Sequence, residues 1–314
     1  MKHRAFVARF LVATFFVLPS AVASDHPVGP RYLVIHADDA GMCHSVNMAT
    51  IEAMEKGIVT SCSIMVPCPW FTEFAAYTRN NSHRDYGIHL TLNSEWKYYR
   101  WGPVAPREKV LSLIDKDGYL WGGVEAFAAN AKANEVEIEL RAQIDRAKQF
   151  GVPISHLDTH MGALVSRKDL LELFARLGLE YNLPVLWFRS VPRPYQREYP
   201  ALAGDLSPIT NAFLKQRLPL LDALTTGVPD GSHEERKQSY LRVIHNAPAG
   251  VNEIIIHCGI ATDELKGCSY SWKHRDEDRQ IFTDPAVIDE VKKSGVQLIS
   301  WRQLREIANG GKSP

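Results

Sequence analysis

Short apolar runs alternate with amphipathic segments along most of the chain. The clearest helical pattern is Glu135–Phe150, where Val136, Leu140 and Ile144 recur at the i, i+4 spacing of one helix face. The apolar runs predict seven strands, at Arg31–Ala37, Ile58–Val66, Tyr86–Asn93, Ile154–Asp158, Pro184–Phe188, Val251–His257 and Val296–Ser300. The amphipathic segments predict helices at Ser45–Lys56, Trp70–Arg79, Glu135–Phe150, Arg167–Tyr181, Glu234–His245, Ala286–Lys293 and from Arg302 onward.

This alternation favours a parallel sheet, because neighbouring parallel strands need crossover connections. We predict one α/β domain over residues 25–314, a single TIM-barrel-like β/α barrel of about seven strands that need not be regular. An open doubly wound sheet is the alternative. The Pro-rich stretch from Val191 to about Asp230 is predicted to be irregular. No glycine-rich phosphate loop follows the first strand, which argues against nucleotide binding.

The first 24 residues have the pattern of a secretory signal peptide. Lys2, Arg4 and Arg9 precede the apolar run Phe10–Leu18, and the small residues Ala21–Ser24 follow it. A membrane anchor is the alternative, but this run is too short to span about 30 Å of hydrocarbon. We therefore expect residues 1–24 to be removed, leaving a periplasmic or secreted protein without stable membrane insertion.

Charge and cysteine content narrow the picture further. The formal net charge is zero and no lysine- or arginine-rich block occurs, so nothing predicts a nucleic-acid partner. Disulfides are compatible with export, but an odd number of cysteines leaves at least one thiol unpaired within the chain. The five are Cys43, Cys62, Cys68, Cys258 and Cys268. Cys62–Cys68 and Cys258–Cys268 are candidate pairs, with free thiols as the alternative.

Carboxylates and imidazoles lie at the ends of four of the predicted strands. These residues are Asp38 and Asp39, His89, the group His156, Asp158 and His160, and His257. Each alone has an ordinary structural explanation, such as a helix cap or a hydrogen-bonded histidine. In a β/α barrel, however, the carboxyl ends of the strands share the face that holds active sites. Together the four strand ends predict one site. His36 and His44, which flank the aspartates, are interpreted as structural neighbours.

These residue types suit metal-assisted hydrolysis. One carboxylate and two neutral imidazoles can hold a divalent ion and leave coordination positions open. A second carboxylate beside the ion can act as a base, and a histidine opposite can protonate the leaving group of an amide or ester. Oxygen and nitrogen ligands permit Mg²⁺, Mn²⁺, Co²⁺ or Zn²⁺, of which Mg²⁺ and Zn²⁺ are favoured here.

Four motifs, in this order, resemble those of the YdjC-like carbohydrate deacetylases, which include chitooligosaccharide deacetylases. They are HADDAG at 36–41, GIHLTLN at 87–93, SHLDTH at 155–160 and EIIIHCG at 253–259. The resemblance extends from Arg31 to about Trp301 and implies a β/α-barrel deacetylase with a divalent ion. By position, it implies that Asp38 is the catalytic base, that His257 is the general acid, and that the metal ligands are Asp39, His89 and His160.

The chain departs from the family pattern at several rim positions. Ala40 and Cys258 replace a usual phenylalanine and proline, and Met161-Gly162-Ala163 stands where the family has further histidines. These changes bear on the substrate, whose binding residues the sequence does not identify. The aromatic loop Trp96–Trp101 either stacks on sugar rings or packs over the barrel mouth.

The expected activity is metal-dependent hydrolysis of N-acetyl groups on amino-sugar oligosaccharides. An O-acetyl esterase or another glycan metallohydrolase would use the same residues. A non-catalytic periplasmic carbohydrate-binding protein is disfavoured, because binding needs neither the base nor the acid. The expected partner is a small carbohydrate, and a homodimer is left open.

Overall fold

The computed structural model describes residues 29–311. Its strands are β1 Arg31–Ala40, β2 Ser61–Ile64, β3 Tyr86–Leu90, β4 Ile154–Thr159, β5 Ala223–Thr225, β6 Gly250–Ile256 and β7 Gln297–Leu298. Its helices are α1 His44–Lys56, α2 Phe71–Asn80, α3 Val124–Asn130, α4 Ala133–Gln149, α5 Lys168–Tyr181, α6 Arg193–Glu198, α7 Ser207–Lys215, α8 His233–His245, α9 Asp263–Cys268, α10 Trp272–Thr283, α11 Pro285–Lys293 and α12 Trp301–Ala308. The predicted signal peptide, residues 1–24, lies outside the described residues and stays a prediction.

All seven strands belong to one parallel sheet, which confirms the predicted α/β class. The strand order is β4-β3-β2-β1-β6-β5, and β7 pairs with the start of β1. The central strand β1 is buried over its last eight residues, as expected for a parallel strand covered on both faces. Because every strand runs in the same direction, all the strand ends that carry polar residues lie on one face.

Residues 184–189 lie between the two edge strands, β4 and β5, and bridge to both sides. The sheet is therefore almost closed into a barrel. Isolated parallel bridges join Leu157 on β4 to Val185, and Phe188 to Leu221 just before β5. Backbone hydrogen bonds support both bridges, including Leu157 N to Pro184 O at 2.9 Å. The predicted strand Pro184–Phe188 was therefore wrong as a regular strand, since single bridges replace a continuous ladder.

The region predicted to be irregular contains regular elements. Helices α6 and α7 and the three-residue strand β5 lie between positions 191 and 230. Such short segments carry too few residues to establish a hydrophobic period. Helix α10 was also not predicted, although it supplies one residue of the site described below.

The described part of the chain has a closely packed core and contains no disulfide bond. The large side chains that fill the core are fully buried, among them Tyr86, Phe127 and Trp301. All five cysteines lie within residues 29–311 and all are free thiols, so neither candidate disulfide is present. Within these residues, no helix is long and apolar enough to cross a membrane.

Candidate active site

The two adjacent aspartates lie at an irregularity near the end of β1. The pairing of β1 with β2 shifts register between Ala37 and Ala40, and Asp39 has a φ of 69°, in the left-handed region. Aspartate adopts this conformation more readily than most residues, because its short side chain can hydrogen-bond locally. Both aspartates consequently approach one imidazole: His89 Nε2 lies 3.4 Å from Asp39 Oδ1 and 3.9 Å from Asp38 Oδ2.

Asp39, His89 and His160 come together from three strand ends, and all three are buried. Asp39 Oδ1 lies 3.4 Å from His89 Nε2 and 3.3 Å from His160 Nδ1. The two nitrogens are 3.1 Å apart. Three ligands, each about 2.1 Å from a common ion, are separated by about 3.0–3.4 Å in octahedral or tetrahedral geometry. This triangle therefore has the dimensions of one face of a coordination shell.

The hydrogen bonding within the triangle is incomplete. Among the described residues, Asp39 Oδ1 is buried and makes no hydrogen bond, whereas buried polar atoms normally have a partner. The nitrogens of His89 and His160 that face it also face each other at 3.1 Å. A cation at the centre would satisfy all three atoms, so the residues present fit a divalent ion.

The two imidazoles are oriented by carboxylates on their far sides. His89 Nδ1 lies 2.8 Å from Asp158 Oδ1, and His160 Nε2 lies 3.1 Å from Glu95 Oε2. Each carboxylate accepts a hydrogen bond from the nearer ring nitrogen. When the rings are neutral, that arrangement leaves the lone pair of the other nitrogen directed toward Asp39, as is usual for histidines that bind metals.

The buried Arg275 on α10 holds the remaining oxygen of Asp39. Its Nη2 donates to Asp39 Oδ2 at 2.6 Å, and both side chains are at most 5% exposed. Burial opposes ionisation of Asp39, but the guanidinium and the two imidazoles hold the pKa of its carboxyl well below the ordinary value. Asp39 is therefore a carboxylate at neutral pH.

The surrounding carboxylates favour positive charge at the triangle. Burial alone would lower the pKa of His160, but Glu95 and Asp39 raise it to about 9. The pKa of His89 is likewise raised well above its usual value, against burial, by Asp158 and Asp38. Because a metal ion and a proton compete for the same ring nitrogens, a divalent ion would displace these protons.

Asp38 and His257 face each other beside the triangle. Asp38 Oδ1 lies 3.1 Å from His36 Nε2 and accepts a hydrogen bond from Ser63 Oγ at 3.3 Å. Asp38 Oδ2 lies 3.9 Å from both His89 Nε2 and His257 Nε2. The His257 side chain is 38% exposed, and its partial desolvation, together with the positive charge of Arg275, lowers the pKa of its imidazole. A separation of this length is too long for a direct hydrogen bond between the two side chains.

The aromatic loop at 96–101 mainly packs over the mouth of the barrel. Trp96 and Trp101 are only 6% and 3% exposed, whereas Tyr98 is 82% exposed. The Trp101 ring lies 6.4 Å from that of His160. Trp96 supports the ring of Tyr270 at 4.9 Å, and Tyr270 is 78% exposed. The loop thus backs an exposed aromatic surface on Tyr270.

Glu253 on β6 is a buried carboxyl group below the site. Both of its oxygens are buried without a hydrogen-bond partner among the described residues. Burial raises the pKa of Glu253 to about 8, a change that the nearby His36 partly offsets. Glu253 is therefore neutral at pH 7.

Replacing Glu253 with glutamine should change how the free energy of unfolding depends on pH. In the unfolded chain this carboxyl ionises near pH 4.5, whereas in the native state it stays protonated up to about pH 8. Between these values the wild type should lose about 1.4 kcal/mol of stability per pH unit relative to Glu253→Gln. Urea unfolding at pH 5, 6.5 and 8 measures this difference. Glu108→Gln, at an exposed position, is the control. A difference between Glu253→Gln and wild type that does not grow with pH would contradict the prediction.

The sequence analysis did not identify Arg275 or Glu95. Arg275 reaches Asp39 across 236 positions of the chain and lies on an unpredicted helix, so no local pattern marks it. Glu95 lies two residues after the motif that ends at Asn93, and this closeness to the motif could have marked it as a candidate site residue. Of the residues that were predicted, all five proposed catalytic and metal-binding side chains lie at this one site.

Comparison with known proteins places this arrangement in a family. A family model described as YdjC-like protein matches residues 32–293. A carbohydrate deacetylase from Thermus thermophilus is 34% identical over 88% of this chain and 95% of its own length. A carbohydrate deacetylase from Thermoanaerobacter pseudethanolicus is 29% identical, covering 88% of this chain and its own entire length, 100%.

Two further matches extend the comparison. A chitooligosaccharide deacetylase from Yersinia enterocolitica is 28% identical over 86% of this chain and 98% of its own length. A solved structure from Enterococcus faecalis, described as a candidate cellobiose-phosphate cleavage protein, superposes with a TM-score of 0.71 at 26% identity. That match covers 88% of this chain and 99% of the other. The residues matched by the family model include strands β2 to β6, nearly all of β1 and every site residue described above.

Proposed function

The chain belongs to the YdjC-like protein family, and from this premise we propose that it is a hydrolase that deacetylates carbohydrates. The proposed reaction is hydrolysis of the amide bond of an N-acetylated amino sugar within an oligosaccharide. The observation that carries the proposal is the buried triangle of Asp39, His89 and His160, with Asp38 and His257 facing each other beside it.

The proposed cofactor is one divalent ion, Mg²⁺ or Zn²⁺, held by Asp39 Oδ1, His89 Nε2 and His160 Nδ1. One carboxylate and two imidazoles are acceptable ligands for either metal, and the other coordination positions stay open to small molecules. When bound, such an ion supplies Lewis-acid polarisation of the acetyl carbonyl and increases the acidity of water.

Asp38 is the proposed general base. Its Oδ1 is held by His36 and Ser63, so Oδ2 is the oxygen free to take a proton from the attacking water. A positioned base of this kind typically contributes about 10²–10⁴-fold to the rate. The adjacent Asp39 cannot perform this role, because Arg275 holds one of its oxygens and the other lies in the triangle.

His257 is the proposed general acid. Amide hydrolysis expels an amine, which is a poor leaving group until its nitrogen is protonated. The imidazole lies across the gap from Asp38, at 3.9 Å. Because burial lowers its pKa, the protonated form of His257 is a stronger acid than free imidazolium. An ester needs this proton less, so an acid in this position favours an N-acetyl over an O-acetyl substrate.

Tyr270 is the proposed platform for a sugar ring next to the one that reacts. Tyr270→Ala should raise KM for an N-acetylated oligosaccharide by about fivefold, equivalent to about 1 kcal/mol of stacking, with little change in kcat. Steady-state kinetics on the monosaccharide and the oligosaccharide measure the effect, which should be confined to the longer substrate. Tyr98→Ala removes an equally exposed tyrosine and is the control. Equal KM values in Tyr270→Ala and wild type would exclude this role.

Acetate release from a panel of N- and O-acetylated sugars, with and without chelator, tests the proposed function. We expect chelator-sensitive release from N-acetylated oligosaccharides. Release from O-acetylated sugars alone would instead identify an esterase. Sugar binding without release from any substrate would identify a carbohydrate-binding protein.

A further inference from the structure

His36 lies at the centre of a buried network directly below the proposed active site. It is on β1 and is completely inaccessible to solvent. Its Nε2 lies 3.0 Å from Asp158 Oδ2, 3.1 Å from Asp38 Oδ1 and 3.1 Å from Ser63 Oγ. One ring nitrogen therefore contacts both the proposed base and the carboxylate that orients a proposed metal ligand.

The other ring nitrogen of His36 must carry a hydrogen. His36 Nδ1 lies 3.0 Å from Ser61 Oγ, and the Ser61 hydroxyl donates to Asp85 Oδ1 at 2.7 Å. A serine hydroxyl has a single hydrogen, so Ser61 Oγ accepts from His36 Nδ1. Burial opposes ionisation of Asp85, but hydrogen bonds from His156 and Ser61 lower its pKa, so Asp85 stays an acceptor at neutral pH.

His36 Nε2 must also carry a hydrogen. Without one, its lone pair would face the carboxylate oxygens of Asp158 and Asp38 at 3.0 and 3.1 Å. Burial disfavours charge on the imidazole, but its hydrogen bonds to these two carboxylates raise the pKa of His36 well above the usual value. The other titratable neighbours are His156, whose ring is 5.1 Å away, and Glu253, which is neutral at pH 7. His36 is therefore an imidazolium that faces two negative charges.

We propose that His36 is a positioning residue, a buried imidazolium that holds Asp38 and Asp158 at the same time. Its ion pair with Asp38 Oδ1, at 3.1 Å, leaves Oδ2 on the side of His89 and His257. Its hydrogen bond to Asp158 Oδ2 fixes the carboxylate whose Oδ1 accepts from His89 Nδ1 at 2.8 Å. One cation thus sets the geometry of both the proposed base and a proposed metal ligand. The catalytic part of this inference rests on the proposed function.

His36→Gln tests the proposal, because glutamine keeps a hydrogen-bond donor but removes the charge and the second donor. Loss of an outer-shell partner of a metal site typically costs about 10–100-fold in affinity or activity. We expect the affinity for Mg²⁺ or Zn²⁺, measured by calorimetry, to fall about tenfold. At saturating metal, kcat should still fall about 10²-fold while KM changes less than about threefold. A residue that only fills space would not separate kcat from KM in this way.

His44→Gln is the matched control. His44 lies eight positions further along the chain at the start of α1, with its side chain 48% exposed and paired with Glu73. The ion pair between His44 and Glu73 includes none of the site residues described above. We expect wild-type metal affinity and kcat in His44→Gln. Wild-type values of both in His36→Gln would overturn the proposal.

NMR of the metal-loaded protein with ¹⁵N-labelled histidine gives a second, independent result. Both ring nitrogens of His36 should give protonated signals at pH 7, assigned by their loss in His36→Gln. If that variant does not fold, Ser61→Ala assigns the signal by shifting Nδ1. An unprotonated ring nitrogen on His36 would overturn the proposal. If the wild type released no acetate, the proposed function would fail, while metal affinity and NMR would still decide the role of His36.

Discussion

Asp39→Asn should abolish high-affinity binding of a divalent ion and, with it, activity. Asparagine has nearly the same shape as aspartate but removes the negative charge from the triangle. Since loss of an outer-shell partner already costs about 10–100-fold, we expect loss of this direct ligand to weaken metal affinity by about 10³-fold or more. Calorimetric titration with Mg²⁺ and Zn²⁺, beside acetate release at fixed metal, measures both effects.

The matched comparison is Glu95→Gln, which alters the partner of His160 but leaves all three proposed ligands in place. It should weaken metal affinity by about 10–100-fold. Asp39→Asn also leaves the buried Arg275 without its carboxylate, at a cost of about 3–5 kcal/mol in the free energy of unfolding. Circular dichroism at low temperature therefore has to establish that the variant is folded. Wild-type affinity in folded Asp39→Asn would exclude this residue as a ligand.

Asp38→Asn and His257→Ala should show the opposite pattern, with the metal retained and turnover lost. Neither side chain contributes an atom to the triangle, so metal content by elemental analysis should match the wild type. Asparagine at 38 cannot accept the proton of water, and we expect kcat to fall by about 10²-fold or more. His257→Ala should slow amide hydrolysis similarly, but should affect an acetate ester with a good leaving group much less.

These variants also test how the two aspartates divide their roles. If Asp38→Asn lost the metal while Asp39→Asn kept both metal and activity, the proposed roles would be reversed. Full activity in both Asp38→Asn and His257→Ala would show that the proposed acid–base mechanism is wrong. The irregular end of β1 makes this test necessary, because it brings both carboxylates to the same imidazole.

The parallel sheet could be predicted because its long buried strands leave a clear pattern. Apolar runs as long as those of β1 and β6, each followed by an amphipathic segment, predict crossover connections without knowledge of any contact. Strand β5, by contrast, has three residues in a Pro-rich region and no period of its own. The segment at 184–189 has strand-like composition but forms only isolated bridges, which depend on its distant partners.

The convergence of the site could be predicted for the same reason. Asp39, His89 and His160 lie at the ends of different parallel strands, and a parallel sheet brings these ends to one face. The partners that complete the site could not be predicted in this way. Arg275 donates a hydrogen bond to Asp39 from 236 positions away in the sequence, and only the folded chain shows this contact.

His36 is an intermediate case. The two-residue period of a strand places it on the same face of β1 as Asp38, so its proximity was available from the sequence. The sequence analysis interpreted it only as a structural neighbour of the aspartates. The contact with Asp158, 122 positions away, is what connects it to both halves of the site, and that contact depends on how β1 and β4 are placed in the sheet.

Restoration of activity to metal-free enzyme tests the central claim most directly. The metal is first removed with a chelator, and the chelator is removed by dialysis. The protein is then titrated with Mg²⁺ or Zn²⁺. Bound metal and the release of acetate from an N-acetylated chitooligosaccharide are measured in the same samples. The account predicts no activity without metal and a rise in activity that saturates at one ion per chain. Full activity in metal-free protein, or no acetate release at any metal occupancy, would contradict it.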